Sequence, residues 1–164
     1  MQMESLRDLF IEELKDLYSA ENQILKALPK MIKKATSKDL KSGFEQHLKE
    51  TQGHVERLDK IFAELEENPK GKKCKGMEGV IADGKELMEE DAEAEVMDAG
   101  LISAAQHVEH YEMAGYGTVR TYAELLGHAN LAHLLQQTLD EERATDEKLT
   151  QLSSKINVEA KKAA

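Results

Sequence analysis

The chain is almost free of helix breakers. Its 164 residues hold two prolines and ten glycines, and between these run four long stretches in which apolar side chains recur at alternating steps of three and four. That spacing places one continuous apolar seam on an α-helix, and such a seam is covered by other helices. Phe, Trp and Tyr together make up only 4% of the chain, and β-branched residues are also scarce, so the usual strand formers are missing. An all-α domain is expected. Helices are predicted over residues 4–35, 38–67, 94–126 and 129–156, with a shorter one over 78–91. At about 1.5 Å per residue the long ones measure roughly 40–48 Å, which suits an antiparallel four-helix bundle. The short helix falls in the crossover between the second and third long helices. Asn68 to Gly76 reads as a loop, Thr36 to Asp39 holds N-cap residues, Gly127 ends a helix, and Pro29 removes one backbone bond from the first helix. The bundle is assigned to residues 1–156, with 157–164 left as a frayed tail.

Every seam is interrupted near its middle. In the first helix it runs Leu6, Phe10, Leu14, Leu17, Glu21, Ile24, Leu28, Met31. The second runs Leu40, Phe44, His47, Thr51, His54, Leu58, Ile61, Leu65, with Glu50 on the same face. The third long helix gives Leu101, Ala105, Val108, Glu112, Gly115, Val119, Tyr122, Leu126, with Glu109 one turn before Glu112. The fourth gives Leu131, Leu135, Thr138, Glu142, Thr145, Leu149, Leu152, Ile156, with Asp146 four residues beyond Glu142. In an antiparallel bundle these midpoints fall at one level.

Carboxylates removed from water cost several kcal/mol unless compensated, and several at one level repel one another. Lys49 and Arg143 flank the seams without occupying them, so divalent cations are the economical counter-charge. Oxygen donors with one or two imidazoles suit iron or manganese, and the lack of cysteine ligands argues against structural zinc. The candidate ligands are Glu21, Glu50, His54, Glu109, Glu112, Glu142 and Asp146, holding two metal ions, with Glu50 and Glu142 best placed to bridge. A pseudo-repeat supports this: Glu21 to Glu50 spans 29 residues, Glu112 to Glu142 spans 30, and each second Glu precedes a further donor, His54 or Asp146, by four. Periodicity alone leaves open whether His47 or His54 is the ligand. His110 points about 100° away from Glu109; His107, His128 and His133 lie off the seams, and Asp140 and Glu141 miss the seam that Glu142 occupies. A bundle whose buried acids form only a structural network is the competing reading.

Charge and cysteine count narrow the partners. With 22 Lys and Arg against 32 Asp and Glu the formal charge is −10, which argues against nucleic acid and anionic membranes. A lone Cys74 excludes an internal disulfide and any CxxC motif, although its Lys-rich loop offers a setting for a lowered thiol pKa. Lysines 70, 72, 73 and 75 read as a solvated run, and Tyr18 and Tyr111 fall near the level of the acids. No stretch is apolar enough to span a membrane and the N-terminus lacks a signal-peptide pattern, so a cytoplasmic location is expected.

With these residues in place, the chain resembles the YciF/YciE-like ferritin-like family of bacterial stress-associated proteins. The resemblance runs through Asp16-Leu-Tyr-Ser-Ala-Glu21, Ala27-Leu-Pro-Lys-Met31, His47-Leu-Lys-Glu50-Thr51, Gly53-His-Val-Glu-Arg-Leu58, Val108-Glu-His-Tyr-Glu112, Tyr116-Gly-Thr118 and Thr138-Leu-Asp-Glu-Glu142 onward to Leu149. It implies a rubrerythrin-like four-helix bundle, a homodimer, and a dinuclear metal site. The wider ferritin-like pattern takes Glu from two helices and Glu-x-x-His from the other two. Here Glu50 and His54 are four apart and Glu142 has no following His, so the site is richer in carboxylates. Redox handling of peroxide or oxygen is the expected chemistry, with an external electron donor, since no rubredoxin-like cysteine set exists. Iron storage is not expected without a shell-forming fifth helix.

Overall fold

A computed structural model describes residues 3–163 as five helices: α1 Leu6–Lys34, α2 Lys38–Glu64, α3 Lys75–Glu89, α4 Ala94–Leu125 and α5 Ala129–Lys162. Helix starts are fixed by local bonds. The Ser5 hydroxyl accepts the Asp8 N–H, and the Asp8 carboxylate accepts the Ser5 N–H at 3.0 Å, closing a capping box on α1. Ser37 caps α2, and the Cys74 sulfur accepts the Met77 N–H at 3.3 Å to cap α3. Gly127 takes φ +80° just past the end of α4, the left-handed conformation that lets the chain reverse into α5.

The four long helices pack as α1 against α2, α4 against α5, α1 against α4 and α2 against α5, while α3 lies across α1 and α4 in the crossover. Two apolar clusters occupy the two ends of this bundle. One joins Phe10 and Leu14 to Leu58, Val119 and Leu131; the other joins Leu28 and Met31 to Leu40, Leu101 and Leu149. The start of α1 thus meets the ends of α2 and α4, as neighbouring antiparallel helices require. The seams of α1 and α2 are buried as read, apart from Leu6 at 36% exposed and the half-buried Leu65.

The face of α4 is rotated from the expected one. Ala105, Glu109, Glu112, Tyr116, Val119 and Ala123 are buried, and Glu109 and Tyr116 take the interior places expected for Val108 and Gly115. Gly115 remains a close approach to α1: a Cβ there would stand 2.7 Å from Leu17 Cδ2. An α-helix drifts about 20° per heptad against a strict repeat, and α3 covers additional surface on α4, so the buried face is wider than a single seam.

The frayed tail expected over 157–164 is corrected as far as Lys162. Ile156 is buried, Ala160 half-buried, the segment is rich in helix formers, and Lys161 and Lys162 in the last turn complement the helix dipole. Ala164 lies outside the described residues.

Candidate metal centre

Between the two apolar clusters lies a polar layer made of Glu21, His47, Thr51, His54, Glu109, Glu112, Thr138 and Glu142, each at most 3% exposed. Each comes from the middle of a long helix, so the antiparallel packing that aligns the midpoints also assembles the layer. Two donor groups form within it, with atoms no more than 4.8 Å apart: His47, Glu109, Glu112 and Glu142 in one, and Glu21, His54 and Glu142 in the other. Glu142 belongs to both.

Buried polar atoms without a partner are concentrated in this layer, with Arg120 Nε the one other case among the described residues. Asp98, also buried, accepts the Thr36 N–H at 2.8 Å, the Thr36 hydroxyl at 2.6 Å and the Ser37 N–H at 2.8 Å, pinning the α1–α2 turn to α4. By contrast Glu21 Oε2, His47 Nε2, His54 Nδ1, Glu109 Oε2 and both oxygens of Glu112 and Glu142 are buried without a hydrogen-bond partner. Each such atom costs about 1–3 kcal/mol, more when charged, and eight of them in one layer make a set of donors that could hold a metal ion.

His54 has surroundings that would suit a metal-binding imidazole. Its Nε2 is 2.8 Å from Glu141 Oε2, and Glu141 is gripped by Arg57 through two bonds of 2.6 and 2.8 Å. Its Nδ1 faces Glu142 Oε1 at 2.9 Å and Glu21 Oε1 at 3.2 Å without forming an aligned hydrogen bond to either. Two donors at neighbouring corners of an octahedral ion with bonds of about 2.1 Å stand about 3.0 Å apart, close to these separations. A carboxylate behind the far nitrogen of a metal-binding imidazole is the usual device for fixing its ring and tautomer. His47 offers a similar pair of atoms, with Nδ1 2.9 Å from Glu109 Oε1 and Nε2 unpaired.

Protonation shows the same shortage of positive charge. Burial, reinforced by the charge of Glu142, pushes the Glu109 and Glu112 carboxyls well above their ordinary range. Burial also works against the Glu142 carboxylate, yet the closeness of Glu109 and His54 and the charges of both histidines hold it at about 2. For His54, burial favours the neutral ring, but contacts with Glu141, Glu142 and Glu21 push its pKa up to about 12. Burial keeps His47 below its usual value. Without an ion, protons on Glu109, Glu112 and His54 balance the layer.

Of the seven candidate ligands, Glu21, His54, Glu109, Glu112 and Glu142 meet in these two groups, while Glu50 and Asp146 do not. Glu50 is half-buried at the layer's edge, where it accepts bonds from Gln46 at 2.7 Å and Thr145 at 3.2 Å. Asp146 accepts from Gln106 at 3.2 Å and faces the exposed His110 at 3.3 Å. Glu50 and Asp146 both lie at the flank of the bundle, although Glu109, likewise one turn from a seam position, is buried. The choice between His47 and His54 dissolves, because both are inside. Two supporting residues escaped the seam reading: Glu141, whose contact with His54 crosses from α5 to α2, and Tyr116, whose buried hydroxyl donates to Glu21 Oε1 at 2.5 Å. Cys74 is not activated by its lysines. It is 1% exposed beside Asp16 and Tyr111, each 3.1 Å away, and burial raises its thiol pKa.

No helix among the described residues is long and apolar enough to cross a membrane. Residues 5–162 match the family described as Domain of unknown function, DUF892. The chain is 47% identical to Protein YciF of Escherichia coli K12 over 165 aligned residues, covering 99% of this chain and 98% of that protein. The crystal structure of the E. coli stress protein YciF superimposes with a TM-score of 0.91 at 46% identity, over 94% of this chain and 98% of that one. YcfI from Rhodopseudomonas palustris gives 0.88 at 44% identity, over 91% of this chain and 95% of that one. A Xanthomonas campestris protein at 18% identity, with a TM-score of 0.77 over 96% of this chain and 97% of that one, shares the fold. The chain therefore belongs to the DUF892 family and is a relative of the E. coli stress protein YciF.

Proposed function

We propose that the polar layer is a dinuclear centre for iron or manganese that handles peroxide or oxygen. The observation that carries this reading is Glu142, a fully buried carboxylate common to two donor groups, with neither oxygen bonded. Glu142 would be shared by two ions, with Glu21 and His54 on one side and His47, Glu109 and Glu112 on the other. The donors are nitrogen and oxygen only, which suits these metals. A bound pair would supply or accept two electrons at an oxygen–oxygen bond.

The chain's own residues prepare that role. Glu141, held by Arg57, keeps the His54 ring turned with Nδ1 toward Glu142. Tyr116 holds one oxygen of Glu21 and leaves the other free. Glu109, Glu112 and His54 give up their protons as cations enter, so binding strengthens with rising pH. With no cysteine set to pass electrons, turnover draws on an external donor.

The test compares hydrogen peroxide consumption by iron- or manganese-loaded wild type with the Glu112→Ala variant, in the presence of a chemical reductant. Turnover in wild type that the variant loses supports the reading. Negligible turnover in both supports a structural bundle, in which any metal only holds the fold.

A further inference from the structure

A cavity of about 400 Å³ opens beside the polar layer, lined by residues of all five helices. It lies where the bundle fails to close. Val108, Thr145 and Leu152 occupy seam positions that heptad spacing assigns to the interior, yet all three are only half-buried and line this space. Its walls are mainly aliphatic, including Ile24, Leu28, Val80, Ile81 and Met88. The buried His47 and Glu109 mark its inner end, and exposed lysines 26, 30, 73, 85 and 148 mark its rim. Lys73 and Lys85 pair with Glu78 and Glu89, whereas Lys26, Lys30 and Lys148 have no ion-pair partner among the described residues. Three cations without an ion-pair partner around one opening, with Glu50 a half-buried opposite charge in its lining, run against the chain's net charge of −10.

An apolar interior under a cationic rim suits an amphiphile with an anionic head, and the volume lies at the lower end of the range for small-molecule sites. We propose that the cavity binds an aliphatic monocarboxylate of medium chain length, its carboxylate among the rim lysines and its hydrocarbon against the α3 and α4 walls. The chain end then lies beside His47 and Glu109. Neither the walls nor the rim needs an ion, and the cavity meets the proposed metal centre at its inner end, His47 and Glu109.

The metal-free full-length chain is titrated calorimetrically with octanoate, decanoate and dodecanoate below their micelle concentrations. Saturable binding of one molecule per chain is expected, tightening about fourfold per added methylene. Dodecylammonium should bind at least about tenfold more weakly than dodecanoate, and the exposed double variant Lys26→Glu, Lys30→Glu should weaken dodecanoate about tenfold. Circular dichroism checks that the double variant stays folded. No saturable binding, no dependence on chain length, or equal affinity for dodecylammonium would overturn the proposal. So would sedimentation showing a dimer that Ile81→Asp dissociates while wild type takes up no dodecanoate, since a second copy would then cover the cavity.

Discussion

Replacing Glu112 by methionine should make the metal-free protein more stable while removing its response to metal. Both Glu112 oxygens are buried and unbonded, and the side chain is 0% exposed. Two unsatisfied polar atoms cost about 1–3 kcal/mol each, while an unbranched thioether of similar reach fills the same space with good helix propensity. Allowing for imperfect repacking of up to about 1.5 kcal/mol, a net gain of about 2 kcal/mol is expected. At 164 residues that corresponds to about 4–8 °C in Tm by calorimetry.

The same substitution has a pH signature. Burial raises the folded-state pKa of Glu112 well above its ordinary 4.5, so the folded chain keeps a proton that the unfolded chain has released. Stability of the metal-free wild type therefore falls as pH rises above about 4.5, by about 1.4 kcal/mol per pH unit for each proton retained. Glu112→Met removes one proton from that slope, leaving the contribution of Glu109 and, above about pH 6.5, that of His54. With metal at one hundred times Kd, wild type gains about 2.7 kcal/mol, and the variant should gain little. A variant that is less stable than wild type without metal, or that gains as much from Mn(II), would refute the reasoning.

Other outcomes follow from single contacts. Glu141→Ala, which removes the carboxylate behind His54, should weaken metal binding by about 10–100-fold, measured by competition with a chelator, with little change in helicity. Asp98→Ala should cost about 3 kcal/mol or more in denaturant unfolding, because two backbone N–H groups and the Thr36 hydroxyl lose their acceptor. Native Cys74 should react with a disulfide reagent far more slowly than the unfolded chain at pH 8, since it is buried and its thiol pKa is raised.

The bundle was legible because its helices obey a nearly uninterrupted repeat, and the polar layer was legible because Glu21, His54, Glu112 and Glu142 replace apolar residues in that repeat. Glu109 was recognisable as one turn from Glu112, yet its place in the interior, beside His47 of α2 and Glu142 of α5, is set by contacts between helices. Glu50 and Asp146 follow the same one-turn logic and end at the flank, where Gln46, Thr145 and Gln106 bond them. Spacing cannot separate these cases, because the deciding contacts are between helices. Glu141 escaped for the same reason: its partner His54 is 87 residues away. The helical end of α5 beyond Ile156 lacks a strong seam and rests on local propensity and terminal charge.

The most direct test is metal content per chain. Protein purified without chelators, offered Fe(II) or Mn(II) and freed of excess, is analysed by inductively coupled plasma mass spectrometry beside Glu112→Met. About two ions per wild-type chain, with a clear loss in the variant, is the expected result. Stoichiometry well below one per chain for both metals would contradict a dinuclear centre and leave the buried acids as a protonated structural network.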